Sequence, residues 1–580
     1  MRKSKTYRWQ LIIPFLGLLL PLHFHGLDWG TPALAKSLQI FGSMENLRRQ
    51  IPALLSSRDQ LFERYEAALA QSGSFSDAER RAFVNKSPSE LLPAWSRIPA
   101  SAVLGDSRAY LIGVISDDQQ TLSALSRFKP WTGQWDPQLY TYGAFYLASI
   151  GTLEGLRLIP VGLQTVRSLP ALMEAPDTIA LMYRWARGFS AVCNLLIALL
   201  MIYLGSRFMM LPAALAGGLF FLSSRLVVVQ SHLAKPHALG VLLIILSVIV
   251  LTNRRQSPRY GLAAALLGLS AACLLTNYLA FLILPLGWLV LYPRKNRFQS
   301  LLAAALGIAA VVSMIFNPFM FLHPNAFLQK VFHHHMDVYA QGKLNLAESL
   351  LFLKHFMIHG TGLLALPLIA RGIWNGLARK DSRTSLLLGL LLSYGLVDAL
   401  WLRHEGVALI IVAASAYFLS LGLNGLFEKW KSSRMAVCLI GIYTAGLLAW
   451  PVQKELRDWP RYARCGTMTE TGKWINENIR PGTPIGIVNG NITPATVPPF
   501  AFDNHPLIVV PNVSLKWQNT AALPPYIITA ESNLSPDLKT LLPTFYHPVL
   551  DNPARAAEFF PYLPTFENMR VVIWEINERS

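Results

Sequence analysis

Ten apolar runs of bilayer-crossing length follow one another between residues 186 and 452, and a shorter one, Leu11–Leu22, precedes them. They fall near 186–204, 208–228, 237–252, 260–275, 277–292, 299–317, 351–370, 384–401, 407–426 and 435–452. A helix needs about 20 largely apolar residues to cross the hydrocarbon layer. Inside that layer every main-chain N–H and C=O must be satisfied by the chain itself, which leaves helices as the solution for runs of this kind. With 53% hydrophobic and only 14% charged residues in 580, the apolar surface exceeds what one soluble core can bury. The pattern predicts an α-helical polytopic membrane protein of about 11 transmembrane helices, counting the N-terminal run.

The formal charge of +18 belongs to topology rather than to a nucleic-acid partner. Arg2, Lys3, Lys5 and Arg8 precede the first run, and Ala33-Leu34-Ala35 offers a small-x-small cleavage pattern. That pattern lies about a dozen residues past the run, beyond His23, His25 and Asp28, so the segment reads as an uncleaved anchor. One further stretch, 139–161, contains Glu154 and Arg157 and suits a helix lying in the interface. If it does not span, Arg207, Arg254, Arg255, Arg294, Lys295, Arg379, Lys380, Lys429 and Lys431 all share the side of the N-terminus, the cytoplasmic side, where only Asp381 and Glu428 oppose them. The C-terminal region then lies outside, periplasmic or extracellular.

Four regions follow: an anchor (1–27), a first extracytoplasmic loop with juxtamembrane helices (28–180), a helical bundle (181–453) and a soluble extracytoplasmic domain (454–580). From Lys454 onward 11 Lys/Arg face 12 Asp/Glu, so the basic excess belongs to the membrane part. The tail joins a helix-like stretch, Thr471–Ile479, to strand-like runs at Ile485–Val488, Tyr526–Thr529 and Arg570–Ile576, which predicts a small α/β fold. Another helical pattern covers Gln60–Gln71 in the first loop. Cys193, Cys273 and Cys438 sit in apolar runs and Cys465 stands alone, so no disulfide framework or CxxC knuckle is available.

The candidate chemistry starts from Asp117-Asp118 in the first loop, since adjacent carboxylates beside a membrane face require a cation, a metal or a proton to accept. They are followed by Asp136-Pro137-Gln138-Leu139-Tyr140-Thr141-Tyr142-Gly143 and by Tyr183-Arg184-Trp185-Ala186-Arg187 opening the next run. This order resembles the GT-C superfamily of polyprenyl-phosphate-sugar-dependent glycosyltransferases, which includes protein O-mannosyltransferases and lipid A aminoarabinose transferases. The resemblance implies a catalytic carboxylate from the acidic motif, a juxtamembrane helix carrying the YG segment, and an arginine at the start of the second span. The second acid here is Asp where the superfamily usually has Glu, and roughly 80 residues separate anchor from motif, so the choice between Asp117 and Asp118 stays open.

Under that resemblance Arg187, Lys235 and Arg403 are the candidates for gripping the donor phosphate. His232, His237 and His404 are candidate proton donors or substrate contacts, with Tyr142 beside them. Lys235 equally suits a snorkelling anchor, and Arg403-His404-Glu405 equally suits an ion pair closing a short loop. His333-His334-His335 point in different directions and make a poor metal site, as do His232 and His237 alone; no metal site is assigned, and a divalent cation stays open as a cofactor. The implied partners are a polyprenyl-phosphate sugar, a lipid, glycan or protein acceptor, and membrane lipids, without nucleic acid. Two rival classes share these features: a transporter or flippase of a lipid-linked or polar solute, and a non-catalytic envelope assembly factor.

Overall fold

The computed structural model describes all residues except 1–16, 18, 73–91, 112–115, 128–132, 134–135, 138, 140–141, 162–168, 254–258, 292–297, 329–345, 403–405, 464–465, 495, 513–516, 518–522, 532–533, 554–568 and 578–580. The chain divides into two units, one made of Met1–Leu27, Gln120–Leu156 and Trp185–Trp459, the other of Asp28–Gln119, Arg157–Arg184 and Pro460–Ser580.

In the first unit each apolar run predicted beyond residue 186 is helical, but not each is one straight span. Among the described residues, five helices are long and apolar enough to cross a membrane: Pro176–Ser206, Gln299–Phe316, Ser382–Leu400, Ala408–Trp430 and Arg434–Gln453. A bent pair, Leu211–Ser223 and Arg225–Ser231, makes a sixth if taken as one span, with 59° between its halves. The predicted count of 11, whose first run lies mostly outside the described residues, is not confirmed by these helices. Several runs form shorter apolar helices, among them His237–Leu251 and Tyr260–Ala271. The run at 351–370 is broken: helix Leu346–Phe356 widens to a π turn over Met357–Thr361 and stops at Gly362, whose φ of 71° no continuing helix can hold. A second π turn, Asp398–Leu402, follows Ser382–Val397.

Leu392, Leu396, Leu439, Ile442, Ile315 and Trp374 are exposed on these helices. Apolar surface of that extent is the mark of a lipid-facing multi-pass membrane protein. Ala408–Trp430 is instead buried along nearly its whole length. It touches Leu366–Ala378 backbone to backbone, because a Cβ on Gly372 would lie 1.8 Å from the Phe418 carbonyl oxygen and one on Gly422 would lie 2.1 Å from that of Leu368. Small residues at such crossings let helices gain dispersion contact where no hydrophobic drive between them exists.

The second unit is a five-stranded sheet with flanking helices. Its strands are β1 (Ile485–Val488), β2 (Leu507–Val510), β3 (Tyr526–Ala530), β4 (Tyr546–Asn552) and β5 (Val571–Ile576), in the order β2-β1-β3-β5-β4. β1 runs parallel to β2 and β3, and β5 runs antiparallel to β3 and β4. The three parallel strands are almost continuously apolar, as strands covered on both faces must be. Edge strand β4 carries Pro548, Asp551 and Asn552, which suits an unpaired rim.

The first loop and the tail, predicted as separate regions, share this unit. Trp95 N–H donates to Val509 O, Ile98 N–H to Leu507 O and Val509 N–H to Ser96 O, so residues 95–98 lie along β2 as a further short edge. Phe41, Leu47, Leu54 and Leu111 from the loop join Met468, Ile475, Ile485, Phe500 and Ile528 from the tail in one core. Helix Arg434–Ala463 runs through residue 454, the predicted start of the tail domain, and the two units divide later, between Trp459 and Pro460.

Replacing Gly422 by Leu should force the Leu366–Ala378 and Ala408–Trp430 backbones apart at a cost of about 1–3 kcal/mol. Thermal unfolding of the detergent-solubilised protein should fall by several degrees, whereas Gly441→Leu, at a site where an added Cβ meets nothing within 4 Å, should leave it unchanged.

Candidate functional site

The acidic pair opens helix Ser116–Arg127, with its two carboxylates in the first turn and Arg127 in the last, both favourable to the helix dipole. Asp118, Thr121 and Ala124 recur at helical spacing and are all fully or almost fully buried, so one face of the helix is inward. Asp118 belongs to that face; the Asp117 side chain lies outside the described residues. The boundary between the two units falls inside this helix, after Gln119. Within the first unit, Thr121 Oγ1 donates to the Ala234 carbonyl at 2.8 Å, beside Lys235 in the chain.

The turn that carries Lys235 is held from several directions. His23, at the end of the first apolar run, sits with Nδ1 2.8 Å from Ser231 Oγ and Nε2 3.1 Å from Leu222 O. A carbonyl accepts only, so Nε2 donates to Leu222 O, while the Ser231 hydroxyl that Nδ1 faces also lies 3.0 Å from Val227 O, to which it donates. Asn194 Nδ2 also donates to Ser231 Oγ, at 2.9 Å. His232 Nδ1 and Nε2 lie 2.8 Å from Val228 O and 2.8 Å from His25 O. Ser190 Oγ reaches Lys235 O at 3.5 Å. The Lys235 side chain is buried, as are His232 and His237. Arg187 is buried too, and its guanidinium donates to Leu27 O at 2.7 Å.

Arg403 and His404 lie outside the described residues. Gly406 just after them packs on the His237 ring, where a Cβ would come within 2.3 Å of Nε2. The chain leaving 403–405 is therefore fixed against the same turn as Lys235. His333–His335 also lie outside the described residues, and among those described no group of three or more His, Cys, Asp or Glu is placed to hold a metal.

The YG segment has a packing reason. Tyr142 bridges to Leu274, Gly143 N–H donates to Cys273 O at 2.8 Å and Phe145 N–H to Ala272 O at 3.3 Å. A Cβ on Gly143 would lie 1.8 Å from Ala272 O, so only glycine allows this approach. Helix Ala144–Val161 starts from that clamp and is not among the five spanning helices. The Tyr142 ring stands edge-on to the buried Tyr146, with centroids 6.3 Å apart. Asp136, heading the same segment, sits 3.7 Å from His323 Nε2.

Three further ionisable residues, to which the sequence reading gave no place in the site, are buried. Arg225 begins the second half of the bent pair, Asp398 opens a π turn, and Glu154 lies in the juxtamembrane helix. The signal for Arg225 was present, a charge inside the apolar run 208–228, where an ionisable side chain marks function by default. His23 and His25 were noted only as ending the anchor. In the first loop, burial holds the Arg108 guanidinium below its usual range while Asp106 pulls it the other way.

No family model matches the chain, and no curated protein does. Among solved structures it is similar to ArnT from Cupriavidus metallidurans bound to undecaprenyl phosphate, at 13% identity over 80% of this chain and 94% of that one, with a TM-score of 0.44. It is also similar to the Archaeoglobus fulgidus oligosaccharyltransferase tethered to an acceptor peptide containing the NVT sequon, at 12% identity over 72% of this chain and 65% of that one, with a TM-score of 0.42. Likeness of this order bears on neither substrate nor chemistry, for which the residues above are the ground.

Gly143→Ala should break the clamp onto residues 272–274 and shift the juxtamembrane helix. Limited proteolysis between residues 128 and 143 should speed up several-fold relative to wild type, while Gly155→Ala, where an added Cβ meets nothing within 4 Å, should cleave at the wild-type rate.

Proposed function

We propose that the protein is a membrane glycosyltransferase moving a sugar from a polyprenyl-phosphate donor to a lipid, glycan or protein acceptor at the outer face, with inversion. The observation that supports it best is that Arg187 and Lys235 are buried within the first unit, where Ser190 of the helix carrying Arg187 reaches Lys235 O and Thr121 donates to Ala234 O. Asp118, on the buried face of helix Ser116–Arg127, is the preferred general base, with Asp117 as its alternate. The base takes the proton of the acceptor hydroxyl or amine as the acceptor atom attacks the anomeric carbon. The bond from that carbon to the phosphate oxygen breaks, and polyprenyl phosphate leaves with the electron pair. Negative charge on the phosphate rises along this path, so Arg187, Lys235 and Arg403 stabilise the transition state more than the ground state. His237 and His404 are candidate proton donors, and Tyr142 lines the approach of the substrate. The outward orientation of the first loop and tail follows from the basic residues of the opposite loops.

A transport reading is favoured by one finding: the bent pair with Arg225 at its break, and the broken helix around Met357–Gly362 that it packs against. Discontinuous helices with buried charge are a feature of transporter sites.

Asp118→Asn in proteoliposomes should lower sugar transfer by roughly 10²–10⁴-fold, the usual span for a lost general base, with unchanged membrane insertion. Full transfer activity in Asp117→Asn and Asp118→Asn alike would remove the base from the scheme. Movement of a lipid-linked sugar across the bilayer without transfer, in wild type and both variants, would establish transport instead.

A further inference from the structure

Beyond their double glycine contact, helices Leu366–Ala378 and Ala408–Trp430 run side by side in the same direction, since Gly372 meets Phe418 O and Arg379 Nη2 then reaches Glu428 Oε2 at 2.6 Å. Arg371, Asn375 and Arg379 stand at every fourth position and so form one row along the first helix and its C-terminal cap. The second helix passes that row at Gly425. A Cβ there would meet Asn375 Nδ2 and lie 3.8 Å from Arg371 Nε, so the two side chains converge over bare backbone. Arg379 has its acid in Glu428. Arg371 Nε and Asn375 Nδ2, by contrast, are buried N–H groups that meet no hydrogen-bond acceptor among the described residues. The acids of this end are engaged elsewhere: Asp381 accepts from Arg383, Thr384 and Tyr417, and Glu428 from Arg379 and Asn424. Buried donors call for an acceptor, and a guanidinium among them calls for an anion.

Two features say where that anion comes from. Lys380, Lys429 and Lys431 belong to the same end of these helices, the end that the loop charges assign to the cytoplasm. Trp374 and Leu377 of the same helix are exposed, so the row borders on lipid, with an indole at the depth where headgroups lie. We propose that Arg371 and Asn375 bind the headgroup phosphate of an anionic phospholipid of the surrounding bilayer. Basic pockets between helices on this side are where such headgroups bind. Phosphate oxygens only accept, so they satisfy Arg371 Nε and Asn375 Nδ2 together, and their charge answers the guanidinium. The bound lipid then closes the seam between the two helices past Gly422. This site is separate from the one proposed for sugar transfer and uses none of its residues.

The test uses the full chain in detergent, stripped of lipid, with phosphatidylglycerol, phosphatidylcholine or inorganic phosphate added back. A ligand that binds the folded chain raises its unfolding temperature with the logarithm of its concentration. Phosphatidylglycerol should raise that of wild type by several degrees, at concentrations where the other two leave it nearly unchanged. Arg371→Gln should need about ten-fold more phosphatidylglycerol for the same rise. Asn375→Asp, which gives Arg371 a carboxylate of its own four residues on, should fold and lose the response. Equal rises from phosphatidylglycerol and phosphatidylcholine in wild type overturn the proposal without any variant. An equal rise from inorganic phosphate overturns the lipid assignment in favour of a soluble anion. A wild-type response in Arg371→Gln places the lipid elsewhere and overturns it too, and none of these outcomes bears on sugar transfer.

Discussion

Main-chain carbonyls at helix breaks inside an apolar unit are the constraint on which the site depends. A carbonyl left without a donor in hydrocarbon costs several kcal/mol. The break at Ser224 creates such groups, because the last turn of any helix lacks internal partners. A side chain far away in sequence supplies one of them, His23 to Leu222 O; nearby, Asn194 reaches Val227 O at 3.3 Å, and Ser224 Oγ itself donates to Gly360 O of the second broken helix at 2.7 Å. The turn over residues 231–237 therefore has its shape set from the first run, the second span and the broken helix around Gly362, rather than by its own short sequence.

Rigidity of that origin has a chemical consequence. Cations that must swing into place as charge develops spend part of their stabilisation on reorganisation, whereas cations already fixed do not. Arg187 is pinned through Leu27 O, and the Lys235 backbone is approached by Ser190. His237 is pressed on Gly406. In the proposed reaction, the same hydrogen bonds that stabilise the broken helices would hold Arg187 and Lys235 in place. Structure and chemistry share these contacts, so a substitution aimed at one disturbs the other.

How much of this could be read from the chain varies with the physics involved. Apolar runs show themselves directly, and those beyond residue 186 are helical, two of them in broken pieces. Their breaks were not legible, since Ser224 and the π turn over Met357–Thr361 sit in runs whose composition gives no warning. Among strands, β1, β3 and β5 stood out by β-branched and aromatic residues, while β2 is only four residues long and β4 carries a proline and polar side chains. The edge segment at residues 95–98 pairs with residues more than 400 positions away, a contact no local pattern announces. Tyr142-Gly143 was noticed through its resemblance to a motif, yet its cause is the 1.8 Å approach of Ala272 O that any Cβ would block. Arg225 is legible as a charge inside the apolar run 208–228.

The broken helices also bear on the choice between moving a substrate and transforming it. Alternating access needs one group of helices to rock against another around a fixed site. Here the helix at the centre of the bundle, Ala408–Trp430, meets Leu366–Ala378 at a double glycine contact, with Gly372 on Phe418 O and Gly422 on Leu368 O. Backbones this close have two ways to move: to slide together as one body, or to separate and expose peptide groups and lost contacts over that whole seam. Leu211–Ser223 is locked to the same helix, since a Cβ on Gly217 would meet Ser420 Oγ and Ala416 O within 2.6 Å. Three helices therefore form one body that includes the element before the Ser224 break. The 59° bend at Ser224 turns the chain away from that body, and Arg225 and the following turn are buried beyond it. A break beside a fixed body, rather than at a hinge, is what a stationary phosphate-binding site at the membrane face would need.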